Sequence, residues 1–164
     1  MRPHEDEVIS VVAASLRRQG VAVLAEGGNQ MRAFRFVLQS GRRKAPDLVF
    51  AVDETLFVFE AKVAAAELLR AAADGLSDYA AMIGLASSPE LQQALLGEAA
   101  RRLDSCGRSE EKVNRVAAGL IAADSIVGLL TGPPRLEALR VDVAQGRWHV
   151  EASLMGEILR SRCL

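Results

Sequence analysis

Apolar positions along this chain switch between helical and alternating spacing, and each switch marks a structural element. Between residues 4 and 19, Val8, Ile9, Val12 and Leu16 recur on one helical face and Gly20 ends the run, which predicts an amphipathic helix. Glu5 lies three positions before Val8, four before Ile9 and seven before Val12, so it projects from the apolar face. At about 100° per residue, Glu7 points well away from that face. Val21–Glu26 reads as a strand, Ala33–Leu38 as another, and Ser40-Gly41-Arg42-Arg43 as a turn. The apolar run Leu48–Val52, the pair Asp53-Glu54 and the run Leu56–Phe59 then read as strand, turn and strand. Glu60 and Lys62, on the same strand and separated by Ala61, point to one face.

The second half is richer in alanine and its elements are less sharply marked. Ala64–Ile83 reads as a helix, with Asp74-Gly75 placed to break it in two, since glycine inside a helix costs about 1 kcal/mol relative to alanine. Ser88 caps and Pro89 opens a helix that runs to about Leu103. Asp104–Arg108 is a loop, after which Ser109 reads as the N-cap of a charged helix opening at Glu110. Val116–Ile121 reads equally as a core strand or as the continuation of that helix. Thr131-Gly132-Pro133-Pro134 is a break. A hairpin follows, Leu139–Val143 and Arg147–Ala152 around Ala144–Gly146, then a helix over Ser153–Arg162. The hairpin either extends the sheet or offers a dimer edge. The expected architecture is an α/β fold, a mixed central sheet flanked by helices. With 164 residues, half of them hydrophobic, and no linker or repeat, a single domain over residues 1–164 is expected.

Asp47 and Glu60 are thirteen positions apart, and the short turn between their strands lets the two acids lie side by side on one sheet. Two carboxylates hold a hard cation such as Mg²⁺, with Mn²⁺ as a substitute, and leave room for water and phosphate oxygens. Lys62 is then placed to orient or deprotonate an attacking water and to offset charge building on a phosphoryl group. The combination suits phosphodiester hydrolysis.

Pro46-Asp47 and Glu60-Ala61-Lys62 resemble the two motif halves of the PD-(D/E)XK nucleases, also called restriction-endonuclease-like. The resemblance implies a metal-dependent nuclease acting on DNA. It implies Asp47, Glu60 and Lys62 as the catalytic set, Asp47, Glu60 and the Ala61 carbonyl as metal ligands, and Glu5 as an auxiliary acid on the first helix. It covers residues 5 to about 83. Within Ala71–Tyr79, Leu76 and Tyr79 match a segment that follows the lysine strand in that family, but Gly75 stands where a glutamine often recurs. That departure, the modest charge and the low aromatic content favour the alternative expectation: a catalytically silent nucleic-acid-binding or assembly module of the same fold.

The net charge of −1 does not mark a nucleic-acid binder, but the charge is unevenly spread. Gly27–Ala45 contains no acid, while Arg32, Arg35, Arg42, Arg43 and Lys44 lead into Pro46-Asp47. These five cations are expected to grip the phosphates of a nucleic acid beside the metal. Histidine is confined to His4 and His149, too few for a histidine-rich nuclease site, and His149 is expected on the solvent side of its strand. Ser109-Glu110-Glu111-Lys112 fits a serine-x-x-lysine pattern only as the start of a charged helix, and Walker and dinucleotide fingerprints are missing. Cys106 and Cys163 lack metal-ligand spacing and read as two reduced thiols. A polar, acidic N-terminus and the lack of a long apolar run point to a cytoplasmic protein with no membrane partner, acting alone, as a homodimer or as a subunit of a larger complex.

Overall fold

Helix α1 (Glu5–Arg18) leads into strand β1 (Ala22–Glu26), and both follow the apolar spacing that predicts them. The structure, a computed structural model, describes residues 3–27, 33–130, 133 and 135–163. After β1 come a two-stranded ribbon, β2 (Phe36–Val37) and β3 (Arg43–Lys44), and the hairpin β4 (Leu48–Val52) and β5 (Thr55–Ala61). Helices α2 (Ala65–Leu68), α3 (Asp78–Ala86) and α4 (Pro89–Ser105) cross to β6 (Arg115–Ala122), and β7 (Glu137–Asp142), β8 (Arg147–Ala152) and α5 (Gly156–Arg160) complete the chain. Among the described residues, no helix is long and apolar enough to cross a membrane.

The strands form one six-stranded mixed sheet in the order β1-β4-β5-β6-β7-β8. β1, β4 and β5 are antiparallel neighbours, β5, β6 and β7 run parallel, and β8 returns antiparallel as the edge. Every residue of β4 and β5 is buried because helices cover both faces, which is why these strands read as continuous apolar runs. On one face, α1 and α5 pack over Phe50, Phe57 and Phe59, whose rings stack with centroids 5.1–6.3 Å apart. Gly119 of β6 makes room for that stack: a Cβ there would collide with the Phe59 ring and come within 2.7 Å of the Glu137 carbonyl oxygen. On the other face, Leu68, Met82, Leu85, Leu95 and Leu103 from α2, α3 and α4 cover Val49, Leu56, Val58 and Leu120.

Several sequence expectations are corrected. The break expected at Asp74-Gly75 within Ala64–Ile83 is present but wider: the first helix ends at Leu68, Gly75 takes φ +81°, and Ser77 starts a new helix by accepting the Ala80 N–H at 3.0 Å. Leu76 and Gly75 therefore lie in the connecting loop, and the segment compared with the family pattern is not helical until Asp78. No helix opens at Glu110. The Asn114 N–H instead donates to the Glu54 carbonyl at 2.9 Å, steering the chain into β6, so Val116–Ile121 is a strand parallel to β5. The C-terminal helix is confined to Gly156–Arg160, since the Glu137 carboxylate accepts the N–H groups of Leu154 and Met155 and the Ser153 hydroxyl, holding those residues outside the helix. The β7–β8 hairpin extends the sheet; Trp148 is buried, and His149 is exposed as expected.

The expected strand Ala33–Leu38 shrinks to Phe36–Val37, and its partner includes Arg43, assigned by sequence to a turn. The ribbon packs against the α3 face through buried Phe34 and Phe36, and Leu38 sits where a side chain on Gly84 would come within 2.8 Å. Arg42 clamps it. Its guanidinium donates to the carbonyls of Leu76 at 2.6 Å and Ser77 at 3.2 Å and to Asp78 at 2.9 Å, with Asp74 at 3.5 Å. Arg42 is therefore an internal strut between the ribbon and the start of α3, not a surface cation awaiting phosphate. Arg42→Ala, which strands partly buried Asp78 and two carbonyls, is expected to cost about 3 kcal/mol of stability. Arg43→Ala, exposed and outside this network, should stay within about 0.5 kcal/mol of the parent. Urea denaturation of both variants checks this, and equal effects would contradict the strut.

Candidate active site

The two-residue turn Asp53-Glu54, with φ of 48° and 66°, sets the pairing of β4 with β5. Leu48 opposite Phe59 is the last pair of that ladder, so Asp47 and Glu60 are the residues just beyond it on the two strands. The Asp47 N–H donates to the Phe59 carbonyl at 2.8 Å and the Asp47 carbonyl accepts from Gly27 at 3.0 Å, so its backbone is held from both sides. Asp47 and Leu48 thus both address Phe59, an arrangement like a β-bulge, which re-aims a side chain at the end of a ladder. The Asp47 carboxylate takes the next donor, the Ala61 N–H at 2.8 Å. Because the N–H and C=O of a strand residue point to the same side, the Ala61 carbonyl also faces Asp47.

Lys62 is fixed by β6, its N–H donating to the Ile121 carbonyl at 3.0 Å. Its ammonium lies 3.3 Å from Glu5 Oε2. Glu7 of the same turn reaches back to accept the His4 N–H at 3.1 Å, while Glu5 reaches Lys62. The four residues expected to form the site, Glu5, Asp47, Glu60 and Lys62, are brought together.

Of the five expected phosphate-binding cations, two belong to the interior. Lys44 is 12% exposed and lies 2.9 Å from both Glu60 Oε1 and Asp78 Oδ1, and Arg42 is the strut described above. Arg35 and Arg43 are exposed, and Arg32 lies outside the described residues. Asp78 was missed as a member of the site, and Lys44 was expected there only as a phosphate contact, not as a partner of Glu60. The signal for Asp78 was the break at Gly75, which makes Ser77-Asp78 a helix start facing the strand ends instead of the middle of a helix. Asp124 was also missed: it lies in the bend just after β6 and accepts the Ala65 N–H at 2.6 Å, holding the chain just after Lys62.

Burial dominates the electrostatics. It pushes Glu60 up to about 9, with Asp47 adding to the rise and Lys44 opposing it. Burial raises the Glu5 pKa as well, again helped by Asp47 and countered by Lys62. Burial alone would lower both lysines, but Glu60 and Asp78 outweigh it for Lys44, and Glu5, Glu60 and Asp78 for Lys62, so both rise and stay charged. Glu60 Oε2 is buried without a hydrogen-bond partner. A carboxylate oxygen in that position needs a proton or a cation.

Among the described residues no cluster of three or more His, Cys, Asp or Glu side chains has the spacing of a metal site. Mg²⁺ is commonly held by one or two carboxylates with water completing its shell, and Asp47, Glu60 with its unpartnered Oε2, and the Ala61 carbonyl fit that donor set. A cleft of about 870 Å³ lies beside the site, lined by Val63, Glu7, Glu67, Asp124, Asp142 and Arg140 among others. Four acids to one arginine make it a poor bed for a polyanion. Neither a scan against protein-family models nor a search of curated proteins finds a match to this chain.

The raised Glu60 pKa has a definite sign for stability. The folded state holds this proton more tightly than the unfolded chain does, so the stabilisation is complete below 4.5, the ordinary value, and is lost as pH rises toward about 9. Glu60→Gln is therefore expected to gain on the parent progressively across that window, measured as urea midpoints at several pH values. Parallel profiles would contradict a buried, proton-retaining Glu60.

Proposed function

We propose that this protein is a metal-dependent nuclease of the PD-(D/E)XK type that hydrolyses phosphodiester bonds in DNA. The observation that carries this is the convergence of Asp47, Glu60, Lys62 and Glu5 from β4, β5 and α1 at one end of the sheet, with a buried carboxylate oxygen left for a cation. The element order supports a restriction-endonuclease-like fold: a first helix, an antiparallel β1-β4-β5 meander and a helical crossover to the parallel strand β6. Arg35 and Arg43, exposed in the acid-free stretch before Asp47, support an anionic substrate.

Mg²⁺ or Mn²⁺ would be held by Asp47, Glu60 and the Ala61 carbonyl, and when bound would supply Lewis-acid polarisation and a more acidic water. The chain's own residues do the rest. The Ala61 N–H orients the Asp47 carboxylate. Lys62, kept charged beside Glu5, serves as a fixed ammonium that orients the attacking water and offsets negative charge on the phosphoryl oxygens, not as a base. Glu5, whose pKa is raised, is the group suited to accept the water's proton.

One observation favours the second reading, a silent module of the same fold: the Lys44 ammonium already occupies Glu60 Oε1 at 2.9 Å. The two are separated by incubating purified protein with DNA and Mg²⁺ or Mn²⁺. Cleavage is expected, with Lys62→Ala reducing it by about 10²- to 10⁴-fold while its melting curve keeps a cooperative transition. Undiminished cleavage by Lys62→Ala would contradict the role of that lysine. Failure of the parent to cut DNA with either ion would favour the silent module.

A further inference from the structure

Lys44 is the side chain that the nuclease reading leaves unexplained. It reaches into the acid cluster from the β2–β3 ribbon, which is not part of the main sheet, and its ammonium bridges Glu60 Oε1 and Asp78 Oδ1 at 2.9 Å each. An ammonium and a divalent ion that use the same carboxylate compete for it through both space and charge. Asp78 gives a displaced ammonium somewhere to remain: Lys44 can let go of Glu60 and keep its bond to the start of α3. The ribbon itself is held independently by Arg42 on the Leu76 and Ser77 carbonyls, so release needs only rotation about the lysine's own side-chain bonds.

We propose that Lys44 is an autoinhibitory latch, an internal cation seated on Glu60 that must swing onto Asp78 alone before a divalent metal ion can bind. The latch regulates the metal site proposed above and rests on that assignment. Lys44 is thus a competitor for the metal ligand and not a contact for nucleic-acid phosphates. Arg42 shares Asp78 Oδ1 at 2.9 Å, so the ribbon strut and the latch meet at one oxygen, and anything that pulls the ribbon off α3 also withdraws the inhibitor.

The test is Mn²⁺ binding, measured by calorimetry with the metal alone, to the full-length parent, Lys44→Met and Lys44→Arg. Lys44→Met, which keeps bulk but no charge, should bind Mn²⁺ about tenfold more tightly than the parent, within the usual range of coupling between sites. Lys44→Arg, which keeps the charge, should stay close to the parent. In the parent, amine-acylation of Lys44, read by mass spectrometry, should rise when Mn²⁺ is added, and this decides the matter if Lys44→Met does not fold. Binding by Lys44→Met where the parent shows none would also support the latch. Equal Mn²⁺ affinity in parent and Lys44→Met, with Lys44 acylation unchanged by the metal, would overturn the latch and leave the metal site standing. No Mn²⁺ binding by any of the three would overturn both.

Discussion

A β4–β5 hairpin closed by only two residues allows one strand register, and the site is a consequence of that register. Asp53 and Glu54 occupy positive φ without a glycine between them, a conformation that carbon-β-bearing residues adopt at a cost. The paired ladder, the stacked Phe50, Phe57 and Phe59, and the Asn114 N–H on the Glu54 carbonyl offset it. A slip of one residue would turn Glu60 onto the apolar face filled by α1 and the phenylalanines, away from Lys44. In the observed register Glu60 shares the face of Leu56 and Val58, next to Asp47, Lys44 and the start of α3.

Placing a carboxylate there creates a demand that the fold must meet. Glu60 is 2% exposed, and a charge so desolvated must be protonated, paired or bound to metal. Each remedy has a representative around it: the raised pKa, the Lys44 ammonium, and the unpartnered Oε2 beside Asp47. Buried ion pairs add little net stability once desolvation is counted. Within the network Arg42 holds the ribbon to the start of α3, and on the latch proposed above the Lys44 bridge between Glu60 and Asp78 controls occupancy of one carboxylate.

Much of this was legible in the sequence where side-chain pattern and local chemistry agree. The α1 stripe, which singles out Glu5 over Glu7, the β4–β5 hairpin and the Ser88-Pro89 helix start all appear where expected. Alanine-rich stretches were less legible, because alanine favours helix yet fits a covered strand equally well: Asp74-Gly75 marked the break in Ala64–Ile83 but not its width, and only the ladder with β5 decided Val116–Ile121. The basic stretch misled for a different reason. Arg42 and Lys44 lie among residues without acids because their partners, Asp74, Asp78 and Glu60, arrive from later in the chain, the Asp78 contacts spanning 34 and 36 positions. An excess of cations in a segment is a binding surface only if the fold does not supply the counter-charges.

The central claim is that Asp47 and Glu60 share a cation site for which Lys44 is the resident substitute. Anomalous diffraction at the manganese edge from crystals soaked in Mn²⁺ tests it most directly. The account predicts a manganese peak coordinated by the Asp47 and Glu60 carboxylates and the Ala61 carbonyl, with the Lys44 ammonium moved off Glu60 and still on Asp78. A map with no manganese at these residues and Lys44 still bridging Glu60 and Asp78 would contradict it.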